Sequence, residues 1–317
     1  MGSDLKGIVS VKWDREKQEN VNIGLLIGDK FSDEIFLCAI CNVESGTCNE
    51  DCKFCTQSVR YKADIQRYKL KEIEQIVKEA RSARENGAVG FCLVTAGLGL
   101  TDKKTKFIAQ TARAIKAENL GLRLIACNGT ASVEQLKELK AAGVDNYNHN
   151  LETSREFYPT ICTTHPWDDR YQTCLNVKEA GLQLVCGGIF GMGETQEDRI
   201  SMIKSIASLD PMNVPLNFFH PNEALPLVEN TITREEAFDL IELSREMIPN
   251  AHKIMVAGGR ELMFGDEQYE IFNRGANAFV IGDYLTTTGR TPKDDVEALE
   301  KLGFKIAKHV IKMADEK

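Results

Sequence analysis

The sequence predicts a single (β/α)8 TIM barrel over residues 35–317, preceded by an N-terminal extension over residues 1–34. Three observations carry that expectation. Short β-rich apolar runs alternate strictly with charged stretches of helical period, which argues a parallel sheet flanked by helices. There are eight of each, a count that favours a closed barrel over an open doubly wound sheet. At 317 residues, without a long linker or a low-complexity stretch, the chain fits one barrel of the usual size, about 250 residues, with an extension.

The elements follow in chain order. In the extension, Val21–Ile27 reads as a short strand or helix between charged flanks, lying across one end of the domain and carrying no chemical motif. Strands are expected at 35–41, 88–95, 122–127, 144–149, 182–189, 213–219, 252–257 and 277–282. Helices are expected at 70–80, 103–117, 132–142, 167–180, 196–208, 233–248, 262–273 and 293–313. The first of these places apolar residues at 70, 73, 76 and 77, one face of a helix. Gly87, Gly121, Gly143 and Gly181 stand where helices should stop before the next strand. The stretch 213–233, with Pro215, Pro221 and Pro226 and with Pro211 just before it, reads as the longest strand-to-helix loop.

Composition narrows the function classes. A net charge of −8 argues against a nucleic-acid-binding surface. No apolar run approaches the ~20 residues of a membrane span, and the start, Met-Gly-Ser-Asp-Leu-Lys, lacks the apolar core of a signal peptide. The expected setting is cytoplasmic, with no membrane and no nucleic acid as partner. In a reducing compartment, ten cysteines read as metal ligands or buried apolar groups rather than disulfides.

Three of those thiols, Cys48, Cys52 and Cys55, fall in an eight-residue polar loop directly after the first strand, on the face where barrel enzymes place their chemistry. Thiolates suit zinc or iron–sulfur centres. A structural zinc site closes with four ligands, and no fourth Cys or His follows at finger spacing. A four-iron cubane on three cysteines keeps one iron open to a small molecule. The alternative is a loop of free thiols.

Other strand ends add polar groups. Cys92, Cys127 and Cys186 fall on the second, third and fifth strands; each alone fits a buried core cysteine, and together they fit a second cluster inside the barrel. Asn148 and Asn150 share one face at the end of the fourth strand, where a pair of carboxamides can read a urea or amide, or can simply tie off the loop. Gly187–Glu194 is a glycine-rich loop that lets backbone approach a ligand but lacks dinucleotide-binding spacing. Asn217 is a further inward position. Arg170 is either a carboxylate binder or an ordinary surface charge on an amphipathic helix.

The C-x3-C-x2-C spacing, with Phe54 before the last cysteine, resembles the cluster loop of the radical S-adenosylmethionine (SAM) superfamily. Within it, Asn42–Ser58, Tyr147–Ser154, Thr163–His165 with Asp169 and Arg170, Gly188–Glu194, Val214–Asn217 and Gly259–Glu261 resemble the biotin synthase family, over roughly residues 36–310. The resemblance implies a sulfurtransferase that converts dethiobiotin to biotin. It implies a [4Fe–4S] cluster on Cys48, Cys52 and Cys55, two SAM molecules per turnover that supply 5′-deoxyadenosyl radicals, and an auxiliary cluster that donates sulfur. Carried over by position, Cys92, Cys127 and Cys186 would hold the auxiliary cluster, [2Fe–2S] or a variant. Phe54, Asn150, Glu152, Arg170, Gly191 and Met192 would contact SAM, and Asn148, Asn150 and Asn217 would line the dethiobiotin site. A low-potential electron donor of flavodoxin or ferredoxin type and a homodimer are implied as well.

Two departures from the family pattern bear on the auxiliary cluster. Met255 stands where many members carry an arginine ligand, and Cys186 is shifted by one residue, leaving Val185 in the usual place. A one-residue shift reverses a strand side chain unless the backbone bulges. Cys162, an exogenous sulfur or water would then complete the set. A different radical SAM enzyme of the same branch, and an iron–sulfur carrier without catalysis, remain as alternatives.

Overall fold

The computed structural model describes residues 34–228, 230–283 and 289–309. The expected extension lies outside the described residues, except that Glu34 already opens the first strand. Ten strands are described: β1 (Glu34–Glu44), β2 (Gly90–Thr95), β3 (Arg123–Cys127), β4 (Asn146–Asn148), β5 (Gln183–Val185), β6 (Gly188–Phe190), β7 (Asn213–Phe218), β8 (Lys253–Val256), β9 (Ala278–Val280) and β10 (Lys305–Ile306). All their pairings are parallel, in the order β1-β2-β3-β4-β5-β7-β8-β9, and β9 pairs with β1 to close the barrel. Followed round from Asn42 through Val94, Cys127, Val185, Asn213 and Lys253, the register returns to β1 at Glu34, eight residues earlier, which is the shear of a TIM barrel.

The helices are α1 (Ile73–Glu85), α2 (Asp102–Ala117), α3 (Val133–Ala141), α4 (Tyr158–Ile161), α5 (Trp167–Glu179), α6 (Gln196–Ser208), α7 (Arg234–Met247), α8 (Arg260–Phe264) and α9 (Pro292–Lys301). Local chemistry starts several of them. Ser132, Thr195 and Thr233 each accept from the backbone N–H three residues on, while Gln135, Asp198 and Glu236 reach back to the cap. Such caps contribute about 1 kcal/mol each.

Strand alternation divides the side chains into two environments. Leu37, Val43, Phe91, Leu93, Leu124 and Val214 face the helices and are fully buried. The opposite face looks into the barrel, where Asn42, Val94, Cys127, Asn148, Asn217 and Met255 are only half-buried. The lumen is therefore not filled by side chains in the way a purely structural barrel is.

The structure corrects three expected elements. The fifth strand, expected as one run over 182–189, is interrupted at Cys186–Gly187. Its partner there is Pro215, which has no N–H to donate, so the ladder lapses between Val185↔Asn213 and Gly188↔Leu216. Both strands advance three residues across the gap, so there is no bulge and the side-chain alternation continues. The stretch 262–273 condenses into α8 and two 3-10 turns, Gly265–Glu267 and Glu270–Phe272. The last expected helix, 293–313, stops at Lys301, after which β10 joins the outer edge of β1 at Glu34 and Ile35, and its final four positions, 310–313, lie outside the described residues.

A candidate functional site at the barrel mouth

The cysteine loop leaves the C-terminal end of β1 and folds on its own hydrogen bonds. Cys48 N–H donates to Gln57 O (3.2 Å), Val59 N–H to Cys48 O (2.8 Å) and Cys55 N–H to Cys52 O (3.0 Å). Gln57 turns its side-chain oxygen inward to accept from Gly46 N–H at 2.5 Å and Ser45 Oγ at 3.2 Å. These contacts bring all three thiols to one cavity of about 180 Å³, lined also by Phe54, Cys127, Asn148, Asn150, Glu152 and Arg170. Burial pushes the Cys48 thiol up and takes Cys55 up to about 11. Thiolates here need a cation against them, and the donor set fits iron bound by three sulfurs.

One wall of the cavity is a chain of polar contacts that begins in this loop. Glu50 Oε2 lies 2.9 Å from His165 Nδ1, and His165 Nε2 lies 2.8 Å from the Tyr158 hydroxyl. Arg170 Nε donates to that hydroxyl at 2.8 Å, so the hydroxyl joins the guanidinium to the imidazole, and bonds to Cys162 and Glu50 raise the His165 pKa against its desolvation. Arg170 also donates to Asn150 O (2.9 Å) and Glu152 Oε1 (3.3 Å). Burial raises the Glu152 pKa, while the Arg170 charge pulls it down. Its Oε2 and the Oδ1 of Asn148 are buried without a hydrogen bond, which suits a polar ligand in the cavity.

Asp51 pins the loop to the segment after α4. It accepts from the N–H groups of Thr163 (2.9 Å) and Thr164 (3.1 Å) and from both threonine hydroxyls. Against its desolvation, these bonds hold the Asp51 carboxyl well below the usual carboxylate range.

The site residues expected from sequence are distributed unevenly. Cys162 is not near Cys92 and Cys127, where a substitute ligand would stand. Its Sγ lies 3.7 Å from Cys52 Sγ and 3.4 Å from His165 Nδ1, because α4 ends against the cysteine loop. Cys52, Cys162 and His165 place their donor atoms within 4.8 Å of one another. The Cys52–Cys162 hydrogen bond lowers the Cys162 thiol and raises that of Cys52.

Cys186 is turned away from the lumen. With alternation preserved across the break, Val185 faces inward and the Cys186 Sγ lies 3.8 Å from Cys174 Sγ on α5, both fully buried. Cys92 and Cys127 do face the lumen as neighbours, the Cys127 thiol pushing Cys92 up and the Cys92 thiol holding Cys127 down. Asn148 Nδ2 stands 3.5 Å from the Cys127 sulfur.

Asn217 faces inward, but its Oδ1 accepts from Gly258 N–H (2.8 Å) and its Nδ2 donates to Gly188 O (3.1 Å). Asn150 Oδ1 accepts from Gly187 N–H at 3.1 Å. The N–H groups of Gly191 and Met192 are taken by the Glu194 carboxylate at 2.8 and 2.7 Å, and neither residue lines the cavity. Sequence reasoning missed Glu50, Asp51 and Tyr158. The one signal for them was the proximity of Glu50 and Asp51 to two thiols.

Comparison with known proteins adds an independent line. A family profile described as the radical SAM superfamily matches residues 45–206, and one described as the Biotin and Thiamin Synthesis associated domain matches residues 215–305. The biotin synthase of Aliarcobacter butzleri (strain RM4018) is 67% identical over 274 residues, 86% of this chain and 97% of that protein. That of Sulfurimonas denitrificans is 61% identical over 277 residues, covering 87% and 99%. Among solved structures, methylornithine synthase superposes with a TM-score of 0.77 at 21% identity over 90% of this chain and 87% of that one. An FeFe-hydrogenase maturase from Carboxydothermus hydrogenoformans gives 0.76 at 19% identity over 89% and 70%. The two superpositions bear on the fold alone.

Proposed function

The chain belongs to the radical SAM superfamily and, within it, to the biotin synthases; from that premise we propose how its own residues divide the work. As a biotin synthase it is an enzyme that inserts sulfur into dethiobiotin to give biotin, which removes the carrier reading and the reading of a different enzyme of the same branch. A [4Fe–4S] cluster with SAM supplies 5′-deoxyadenosyl radicals when bound.

Cys48, Cys52 and Cys55 would hold that cluster. Arg170, clamped between Tyr158, Asn150 O and Glu152, offers a fixed guanidinium to the SAM carboxylate, and Glu152 offers its free Oε2 to the amino group. Phe54 covers the cavity beside them. Asn148 turns its unpartnered Oδ1 to a ureido N–H of dethiobiotin, with Asn150 beside it. The side chains around the cavity keep water from a reactive carbon centre. Inside the barrel, Cys92 and Cys127 would hold an auxiliary iron–sulfur cluster, [2Fe–2S] or a variant. A low-potential electron donor of flavodoxin or ferredoxin type, a homodimer, a cytoplasmic setting and a division into an extension over 1–34 and a barrel over 35–317 complete the proposal. Among the described residues no helix is long and apolar enough to cross a membrane.

The observation that carries this reading is the convergence of three thiols, a clamped arginine and an unpartnered carboxamide oxygen on one cavity. Cys52→Ala tests it. The variant is expected to retain the parent circular dichroism and to lose 5′-deoxyadenosine production from SAM. Production at the parent rate would remove Cys52 from the cluster.

A further inference from the structure

The barrel wall holds one more inward thiol than the carried-over set accounts for. Cys38 on β1 pairs in register with Gly90, two residues before Cys92 on β2. Side chains two residues apart share a strand face, so Cys38 and Cys92 point into the same lumen. Cys127 on β3 lies two residues beyond the partner of Cys92, Ile125. In a barrel of this shear, a climb of one residue per strand holds constant height along the axis. The three thiols climb two per strand, so Cys38 and Cys127 stand about one residue, roughly 3 Å, below and above the level of Cys92.

Resting on the interior cluster proposed above, we propose that Cys38, not Cys186, is its third cysteine ligand beside Cys92 and Cys127. Cys186 faces Cys174 across the barrel wall, and no bulge is present to turn it inward. Cys41 is excluded as well, because its Sγ points outward to Glu79 Oε2 at 3.0 Å.

Two further observations support the assignment. First, β2 carries a glycine beside Cys38: a Cβ at Gly90 would stand 3.2 Å from the Cys38 sulfur and 3.3 Å from Ile125 Cδ1. A side chain there would crowd the Cys38 sulfur, so the glycine lets that sulfur lie against β2, the strand that carries Cys92. Second, Lys253 on β8 projects into the same region, its Nζ 4.3 Å from the centre of the Phe36 ring. Burial, and then the repulsion of Arg123, lower the Lys253 pKa to about 8, so its charge is poorly compensated where it stands. A buried cation without a counter-ion is costly. A cluster held by three thiolates is anionic and supplies that counter-charge from within the lumen.

The test is the iron and sulfide content of anaerobically reconstituted protein, with spectra of both clusters, for the parent, Cys38→Ser and Cys186→Ser. Cys186→Ser is expected to match the parent. Cys38→Ser is expected to lose the iron and sulfide beyond the cubane's complement while keeping the cubane's electron paramagnetic resonance signal. Loss of that iron in Cys186→Ser, or its full retention in Cys38→Ser, overturns the ligand assignment alone. A parent protein holding no iron beyond the cubane overturns the interior cluster together with it. Lys253→Met leaves all three thiols in place, so it reads the geometry even where Cys38→Ser does not fold. It is expected to lower the reduction potential of the interior cluster, and an unchanged potential contradicts the placement of Cys38 and Lys253 beside it.

Discussion

At the scale of single residues, two inward asparagines with the same chemistry have different expected roles, because their hydrogen bonds differ. Asn148 keeps a buried oxygen without a partner, whereas Asn217 spends both ends of its amide on Gly258 and Gly188. Asn148→Ala should therefore weaken dethiobiotin binding by roughly 1–3 kcal/mol, about 5- to 150-fold in affinity, with little change in melting temperature. Asn217→Ala should instead lower stability by about 1–3 kcal/mol, since it strands two backbone groups, and leave affinity nearer the parent value. Calorimetric titration and thermal unfolding of both variants separate the two; equal losses of affinity would place Asn217 against the substrate. Sequence distinguished neither residue, because both read as inward carboxamides at strand ends. The cysteine triad was legible because its spacing lies within eight residues. The Glu50–His165–Tyr158–Arg170 chain was not, since it joins the cysteine loop to groups more than a hundred residues on, and only the fold brings them together.

At the scale of elements, the interruption of the fifth strand decides which thiols face the lumen. Its cause lies in the neighbouring strand: Pro215 withholds the donor that Cys186 O would use, and Gly187 admits the Pro215 backbone. A Cβ at Gly187 would lie 1.8 Å from Pro215 O, a backbone atom that cannot swing aside as a side chain does. Gly187→Ala is thus expected to cost at least about 1–3 kcal/mol, seen as a lower midpoint in chemical denaturation, and an unchanged midpoint would show that the two strands are free to separate. Sequence placed the helices well where capping residues mark them, as at Thr195 and Thr233. It failed after Lys301, where the apolar residues Phe304, Ile306 and Ala307 fit either a helix or a strand. The edge of β1 offers backbone partners to the extended form, and that choice is tertiary.

At the scale of the whole molecule, the eightfold alternation and the closing pairing of β9 with β1 make a barrel whose helix-facing side is packed and whose lumen keeps room. The alternation was legible because each run has its own period, 2 or 3.6. The lumen's openness was not, because it depends on which inward residues meet across the axis. The molecule joins a three-thiol site at the mouth to further thiols within the wall, an arrangement suited to making a radical at one end and spending it inside. The most direct test incubates the reduced protein anaerobically with SAM and dethiobiotin deuterated at the two carbons that receive sulfur. The account predicts biotin together with 5′-deoxyadenosine that carries deuterium from the substrate. Cleavage of SAM with no deuterium in 5′-deoxyadenosine and no biotin would contradict it.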